Sequence, residues 1–302
     1  MCDDEIHQFE GTILATETPL SRRAFGLSAA AAASLAATVS ASMAHAEATV
    51  TEKDIDIKTA DGTCDAALFY PSGPSTGKGS KWPAVLIWTD IGGLRPAFRD
   101  MGRRLAAQGY VVLVPNPFYR GGRAPGVTEG LDFSKAEDRP KFMKLAGGAT
   151  GPNAVETDAP AFLAFLDAQP QTDKKKKAGT QGYCMGGPLV YRTAAVLPDR
   201  IGAGVTCHGG GLVTATPASP HLLIPKMKGE IYSAVAANDD ARAPTDKDVL
   251  KKAFADAGKT ARIEVYDGCN HGWCVKGSAV YNEAGAERAW KELTELYKKR
   301  LV

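Results

Sequence analysis

The sequence has little of what several common protein classes require. Its six cysteines include no Cys-x-x-Cys pair and its five histidines are scattered, which excludes a disulfide scaffold and argues against a structural zinc site. Beyond residue 46, no apolar run is long enough to cross a membrane. The four lysines at 174–177 lie between a predicted helix and a predicted strand, so we expect a solvated loop there. These absences predict a globular protein without a nucleic-acid partner, and they leave open whether Cys269 and Cys274 form a disulfide.

Residues 1–46 have the pattern of an export signal rather than of folded structure. Arg22 and Arg23 precede a small, weakly apolar run at 28–42, and Ala44-His45-Ala46 is a small-x-small cleavage signal. Paired arginines before such a run predict a twin-arginine signal peptide, recognised by the twin-arginine export machinery. The alternative is an uncleaved anchor, which an alanine- and serine-rich run suits poorly. We therefore expect a periplasmic or secreted domain at 47–302 that is free of the membrane once the signal is removed.

From residue 50 onward, strand patterns alternate with helix patterns. An alternating hairpin at 54–70 is followed by apolar runs and amphipathic stretches. The predicted strands that follow are 84–88, 110–114, 178–183, 201–206, 230–236 and 262–266, and the predicted helices are 98–106, 154–166, 185–197, 245–257 and 282–299. The polar stretch at 119–151 is interpreted as an insertion or cap near the site. This order predicts an α/β fold with a mostly parallel central sheet and helices on both faces, whose functional groups lie at the carboxyl ends of strands.

The strongest local motif is Gly182-Tyr183-Cys184-Met185-Gly186, at a predicted strand-to-helix junction. It has the form G-x-C-x-G, a nucleophile elbow with cysteine in place of serine. A sharp turn there needs glycine on both sides, and it presents the sulfur at a helix N-terminus, where the dipole stabilises a thiolate. The Met185 N–H is left as an oxyanion donor. The alternative is a buried structural cysteine in a glycine-rich turn.

Two further strand ends carry polar residues in a suggestive order. Asp239 and Asp240 follow the strand at 230–236, and His271 follows the strand at 262–266. Nucleophile, acid and histidine in this chain order match the triad of α/β-hydrolases. A capping aspartate and a loop histidine are the alternatives for the two sites taken singly. Asp239 is predicted as the acid by its distance from the strand, and Asp240 remains open.

These motifs, with the turn at 91–95, the segment at 115–120 and His271-Gly272-Trp273, resemble the dienelactone hydrolase family over nearly all of the chain after residue 46. The resemblance implies an α/β-hydrolase that cleaves an ester or lactone through a Cys184–His271–Asp239 triad. It also implies that no metal or organic cofactor is needed.

The resemblance assigns further roles by position. Asp90 matches an acidic residue that holds the resting thiol, although it is one methylene shorter than the usual glutamate. The Ile91 N–H matches the second oxyanion donor, and Arg120 matches an arginine that binds a substrate carboxylate. A second arginine expected after the histidine is missing, since Val275 stands there with Lys276 beside it. This departure weakens the case for dienelactone itself as the substrate.

Other residues and other readings compete with this hypothesis. We expect His208 to be a hydrogen-bonded structural histidine, although it could line the pocket, and Trp273 and Phe118 to wall the pocket or belong to the core. A thiol redox protein would need Cys207 as the resolving partner of Cys184. A binding protein without catalysis on the same fold is the third possibility.

Overall fold

Eight strands and seven α-helices form the part of the protein that the computed structural model describes, residues 49–73 and 80–301. The strands are β1 (Thr49–Thr59), β2 (Gly62–Ser72), β3 (Ala84–Trp88), β4 (Val111–Pro115), β5 (Ala178–Tyr183), β6 (Ile201–Cys207), β7 (Glu230–Ala236) and β8 (Ala261–Tyr266). The helices are α1 (Pro96–Ala107), α2 (Arg139–Thr150), α3 (Ala154–Ala168), α4 (Gly186–Val196), α5 (Ala237–Arg242), α6 (Asp246–Asp256) and α7 (Glu283–Leu301).

All eight strands join one sheet in the order β1-β2-β4-β3-β5-β6-β7-β8. The opening hairpin β1–β2 is antiparallel, β2 pairs antiparallel with β4, and every pairing from β4 to β8 is parallel. The carboxyl ends of β3 and of β5 to β8 therefore meet along one edge of the sheet. The predicted mostly parallel α/β fold is confirmed by this topology.

The core lies on both faces of the sheet because the strands are apolar on both sides. In β3, Val85 and Ile87 pack on one face, while Leu86 and Trp88 pack on the other. Helices α1 and α7 cover the first face, and α3, α4 and α6 cover the second. A strand covered on both faces has no polar side, which explains the unbroken apolar runs in the sequence.

Two helices lie where the sequence predicted none. The stretch interpreted as an insertion or cap contains α2, and the residues directly after β7, for which no element was predicted, form the short helix α5. Helix α2 was missed because few of its residues are buried, so its apolar stripe is weak; the buried ones are Phe142, Ala146 and Ala149.

The predicted twin-arginine signal at 1–46 lies outside the described residues. Among the helices that are described, none combines the length and the apolar character needed to cross a bilayer.

Candidate active site

Cys184 stands on a strained turn between β5 and α4. Its φ of +53° lies in the left-handed region, which a non-glycine residue adopts at an energetic cost. The turn leaves no room for side chains at its flanks. A Cβ at Gly182 would lie 2.2 Å from the Gly186 carbonyl oxygen, and a Cβ at Gly186 would lie 2.6 Å from the Trp88 oxygen. The two glycines therefore allow β3, β5 and α4 to meet closely beneath the half-buried cysteine.

Within the described part of the protein, some backbone groups around the turn are hydrogen bonded and others are free. The Cys184 N–H donates to the Cys207 carbonyl at 3.2 Å, and the Cys184 carbonyl accepts from the Gly187 N–H at 3.0 Å. The N–H groups of Met185 and Ile91 donate to no other group in the part of the chain that the structure describes. Both predicted oxyanion donors are thus available to a ligand.

His271 and Asp239 form the central polar contact of the site. The Nδ1 of His271 lies 2.6 Å from the Oδ2 of Asp239, and both side chains are half-buried. A second bond fixes the backbone, since the His271 N–H donates to the Oδ1 of Asn238 at 2.8 Å. The start of α5 therefore holds both the ring and the main chain of the histidine that follows β8.

The charge state of His271 is set by its two polar neighbours. Burial opposes protonation, but hydrogen bonds and charge from Asp239 and Cys184 outweigh it and raise the pKa of His271 to about 10. At neutral pH the ring is therefore an imidazolium between a carboxylate and a sulfur. This is the charge arrangement of an activated thiol nucleophile.

The two candidate acids have different partners. The Asp240 carboxylate pairs with Lys247 at 2.7 Å on the start of α6, away from the imidazole. Asp239 contacts His271 through one oxygen and the exposed Arg242 side chain through the other. Of the two aspartates, only Asp239 is hydrogen bonded to the histidine.

Asp90 is engaged by an arginine that sequence reasoning did not consider. Its carboxylate contacts Arg95 through both oxygens, at 2.5 and 2.7 Å, and accepts the Gly92 N–H at 2.8 Å. The pair closes the turn that carries the Ile91 amide. Asp90 therefore lies in position to shape the oxyanion turn, and its carboxylate is directed to Arg95 and Gly92.

Arg120 is held in an ion-pair network rather than open to a ligand. Its guanidinium contacts the Asp158 carboxylate at 2.8 Å and the Asp61 carboxylate at 2.6 Å, and it stacks on the Tyr119 ring. Asp158 is 4% exposed, so the pair is largely desolvated. A substrate carboxylate would have to compete with two resident carboxylates for this arginine.

The residues after the histidine bring no other cation to the elbow. Val275 is buried in the core. Lys276 lines a separate cavity of about 310 Å³ between α1, α7 and the segment at 274–283. The position at which the family pattern expects a second arginine is therefore apolar.

His208 is the site residue whose role the sequence misjudged. It follows β6 with a φ of +42° and is 1% exposed, and neither ring nitrogen has a hydrogen-bond partner among the described residues. Its ring lies 4.8 Å from the His271 ring and 5.1 Å from the Trp273 ring, measured between centroids. The expectation of a hydrogen-bonded structural histidine was wrong. Trp273 and Phe118 are fully buried, as core residues are.

The remaining described cysteines are free thiols, so Cys269 and Cys274 form no disulfide here. Cys207 and Cys274 line the same cavity. Burial raises the pKa of Cys274, and the Cys207 contact raises it further. The thiol of Cys207 thus faces Cys274, which disfavours it as the resolving partner of Cys184. No group of three or more metal-binding side chains occurs within residues 49–73 and 80–301.

Comparison with known proteins gives a consistent result. Residues 65–301 match the model of the dienelactone hydrolase family. The chain is 28% identical to the hydrolase tropI of Talaromyces stipitatus over 227 residues, which cover 74% of this chain and 78% of the relative. It is 25% identical to a carboxymethylenebutenolidase of Rhodococcus opacus over 242 residues, with 79% and 88% covered.

A solved structure with the same fold is a dienelactone hydrolase-like promiscuous phosphotriesterase from metagenomic libraries. The two superpose with a TM-score of 0.67 at 19% identity, covering 84% of this chain and 99% of the other. At this identity the likeness concerns the fold alone.

Proposed function

The chain belongs to the dienelactone hydrolase family of α/β-hydrolases, and from this premise we propose that it hydrolyses ester or lactone bonds with Cys184 as nucleophile, His271 as base and Asp239 as the acid that orients the histidine. One observation carries the proposal. The 2.6 Å contact between His271 Nδ1 and Asp239 Oδ2 leaves the other ring nitrogen for the sulfur of the elbow, which contributes to the raised pKa of the ring. The proposed nucleophile, orienting acid and base follow β5, β7 and β8, respectively, at one sheet edge.

The acylation step uses the thiolate–imidazolium pair. The Cys184 sulfur attacks the carbonyl carbon, and the developing oxyanion accepts hydrogen bonds from the Met185 and Ile91 amides. The carbon–oxygen bond to the leaving group then breaks, and His271 gives its proton to the departing alkoxide or enolate. The product of this step is a thioester on Cys184.

Deacylation returns the enzyme to its starting state. Neutral His271 takes a proton from a water molecule, whose oxygen attacks the thioester carbonyl. The carbon–sulfur bond breaks, the acid is released, and the thiolate faces the imidazolium again. Asp239 stabilises the charge that the ring carries in both steps and does not itself become protonated.

The substrate is proposed to be an activated ester or lactone that needs no carboxylate for recognition. A thiolate suits enolate, aryl and thioester leaving groups, which depart more readily than an alkoxide. The Arg120 guanidinium is occupied by Asp61 and Asp158, and Val275 offers no charge. Dienelactone, which carries a carboxylate, is therefore a poorer fit than a neutral lactone or aryl ester.

The test is turnover of nitrophenyl acetate and of a panel of neutral and carboxylate-bearing lactones by the protein and by C184A. We expect C184A to lose turnover by at least about a thousandfold, because the nucleophile itself is removed. Mass spectrometry of the quenched wild-type reaction should find the acyl group on Cys184. Full activity of C184A would contradict the mechanism, and C64S, which alters a buried thiol outside the site, is the matched control.

Two rival functions have weaker support. A redox protein that pairs Cys184 with Cys207 is disfavoured because the Cys207 thiol faces Cys274. A binding protein without catalysis would bind ligands yet hydrolyse no member of the panel. We also propose that the protein acts after export through the twin-arginine machinery, which N-terminal sequencing of the secreted or periplasmic form would test by finding Glu47 first.

A further inference from the structure

His208 occupies an energetically costly position beside the proposed base. It follows β6 in a left-handed conformation, and its N–H donates to the Ala234 carbonyl on β7 at 2.8 Å. This bond fixes the main chain while the imidazole is enclosed. A buried polar group without a partner costs about 1–3 kcal/mol. If the side chain at this position served only to fill space, an apolar residue would be expected there.

The surroundings of the ring are aromatic. His271 lies 4.8 Å away, Trp273 5.1 Å away in an edge-to-face arrangement, and Tyr183 of β5 6.0 Å away, all between ring centroids. Of these neighbours only His271 carries charge at neutral pH, since burial raises the pKa of Tyr183 well above its usual value. The other groups that interact with His271 are Asp239 and Cys184, and both raise its pKa.

The ring of His208 remains neutral while its neighbour is charged. Burial lowers the pKa of His208 well below 6.5, and the positive charge of His271 lowers it further. No hydrogen bond to another described residue fixes its tautomer, and the one contact that favours its protonation is with its own backbone. Neither tautomer is therefore fixed by another described residue, so the dipole of the ring can adapt to the charge of His271.

We propose that His208 is a positioning residue for the hydrolase reaction, whose neutral imidazole, bonded to no other described residue, stabilises the protonated ring of His271 and holds it between Asp239 and Cys184. The proposal rests on the function proposed above. It gives the buried ring a role that phenylalanine could not fill, because a phenyl ring packs similarly but offers no lone pair.

The test is the pH dependence of Cys184 alkylation by iodoacetamide, which needs no substrate. In the wild-type protein we expect the alkylation profile to show, after ionisation of the thiol, a second step near pH 10 when His271 loses its proton. In H208F the second step should move to lower pH by about half a unit to one unit, because the protonated ring has lost a favourable dipole. The kcat of H208F should fall about tenfold while KM changes less than twofold.

The matched control is H221F. His221 is the third described histidine and lies outside the site, and its Nδ1 is bound to the Ser219 hydroxyl at 2.6 Å. Its replacement should leave the alkylation profile and kcat unchanged. An H208F profile that overlays the wild-type profile with unchanged kcat would overturn the inference and leave His208 as a core residue.

Further measurements distinguish a failure of the inference from a variant that does not fold and from a failure of the proposed function. If H208F does not fold, H208N and H208A replace it, because asparagine tolerates the left-handed backbone and retains an acceptor oxygen that alanine lacks. A second step nearer the wild-type position in H208N than in H208A supports the inference, and identical profiles overturn it. A wild-type alkylation profile without a step near pH 10 would instead contradict the proposed thiolate–imidazolium pair itself.

Discussion

At position 239 a single carboxylate serves two cations. One oxygen is bound to the His271 ring and the other contacts the Arg242 guanidinium, whereas the neighbouring Asp240 pairs with Lys247. The two aspartates are adjacent on α5 but point to different partners. This difference gives a matched pair of substitutions.

We expect D239N to lower kcat by at least about a hundredfold, because an amide supports neither the tautomer nor the charge of the histidine. D240N should stay within about threefold of the wild-type protein, because it loses only a partly exposed ion pair. Steady-state kinetics on an activated aryl ester, with thermal melts to verify folding, make the comparison. Equal losses in the two variants would argue against Asp239 as the orienting acid.

At the scale of elements, the elbow depends on how closely β5, α4 and β3 approach one another. A methyl group at Gly182 would overlap the Gly186 carbonyl of α4, which is backbone and cannot rotate away. Gly147, inside α2, has no atom within 4 Å of an added Cβ. The same substitution therefore has opposite expected effects at the two positions.

G182A should lower the free energy of unfolding by about 2–4 kcal/mol, because strand and helix must separate to admit the methyl group. G147A should raise it by roughly 0.5–1 kcal/mol, since alanine loses less conformational entropy in a helix than glycine does. Urea denaturation of both variants measures the two values. A neutral G182A would mean that the elbow is looser than its contacts indicate.

The elements that the sequence predicted well are those with a continuous apolar signal. The strands at 84–88, 178–183 and 230–236 were predicted with the bounds that the structure shows. Helix α5 was missed because it has six residues and no buried ones, so it leaves no periodic pattern. The fold class was predictable because these apolar runs indicate the order of the strands and their burial on both faces.

Within the site, sequence order predicted the candidate residues but not their partners. The choice between Asp239 and Asp240 depends on which side of α5 faces the β8 loop, and adjacent residues give no such signal. The engagement of Arg120 by Asp158 joins residues far apart in the chain. The missing partner of His208 could not be predicted, because a glycine-rich segment after a strand is equally compatible with bonded and unbonded rings.

At the scale of the whole molecule, two histidines shape the dependence of stability on pH in opposite ways. His271 has a folded-state pKa raised from 6.5 to about 10, so its contribution is fully present below pH 6.5 and is lost as the pH rises toward 10. His208 has a folded-state pKa lowered below 6.5, so its contribution is present above pH 6.5 and is lost as the pH falls below that value.

We therefore expect the urea midpoint to decline on both sides of a maximum near pH 6.5. The decline above this pH should be shallower in H271Q than in the wild-type protein, and the decline below it should be shallower in H208F. Midpoints measured from pH 5 to pH 9.5 separate the two contributions, because each variant flattens chiefly the limb of the histidine that it removes, while the coupling between the two rings only shifts the other limb. A wild-type alkaline limb that H271Q leaves unchanged would contradict the raised pKa of His271.

The bond from the His271 amide to the Asn238 side chain has one more consequence. Asn238 and Asp239 are neighbours on α5, so the imidazole is tethered by its main chain and its ring to the same turn of helix, while the sulfur comes from a different strand. The Asp239 carboxylate and the His271 imidazole are thus held together by contacts that do not involve the thiol. In the proposed mechanism, the sulfur at the elbow could therefore be replaced by an oxygen nucleophile without loss of the contact between Asp239 and His271.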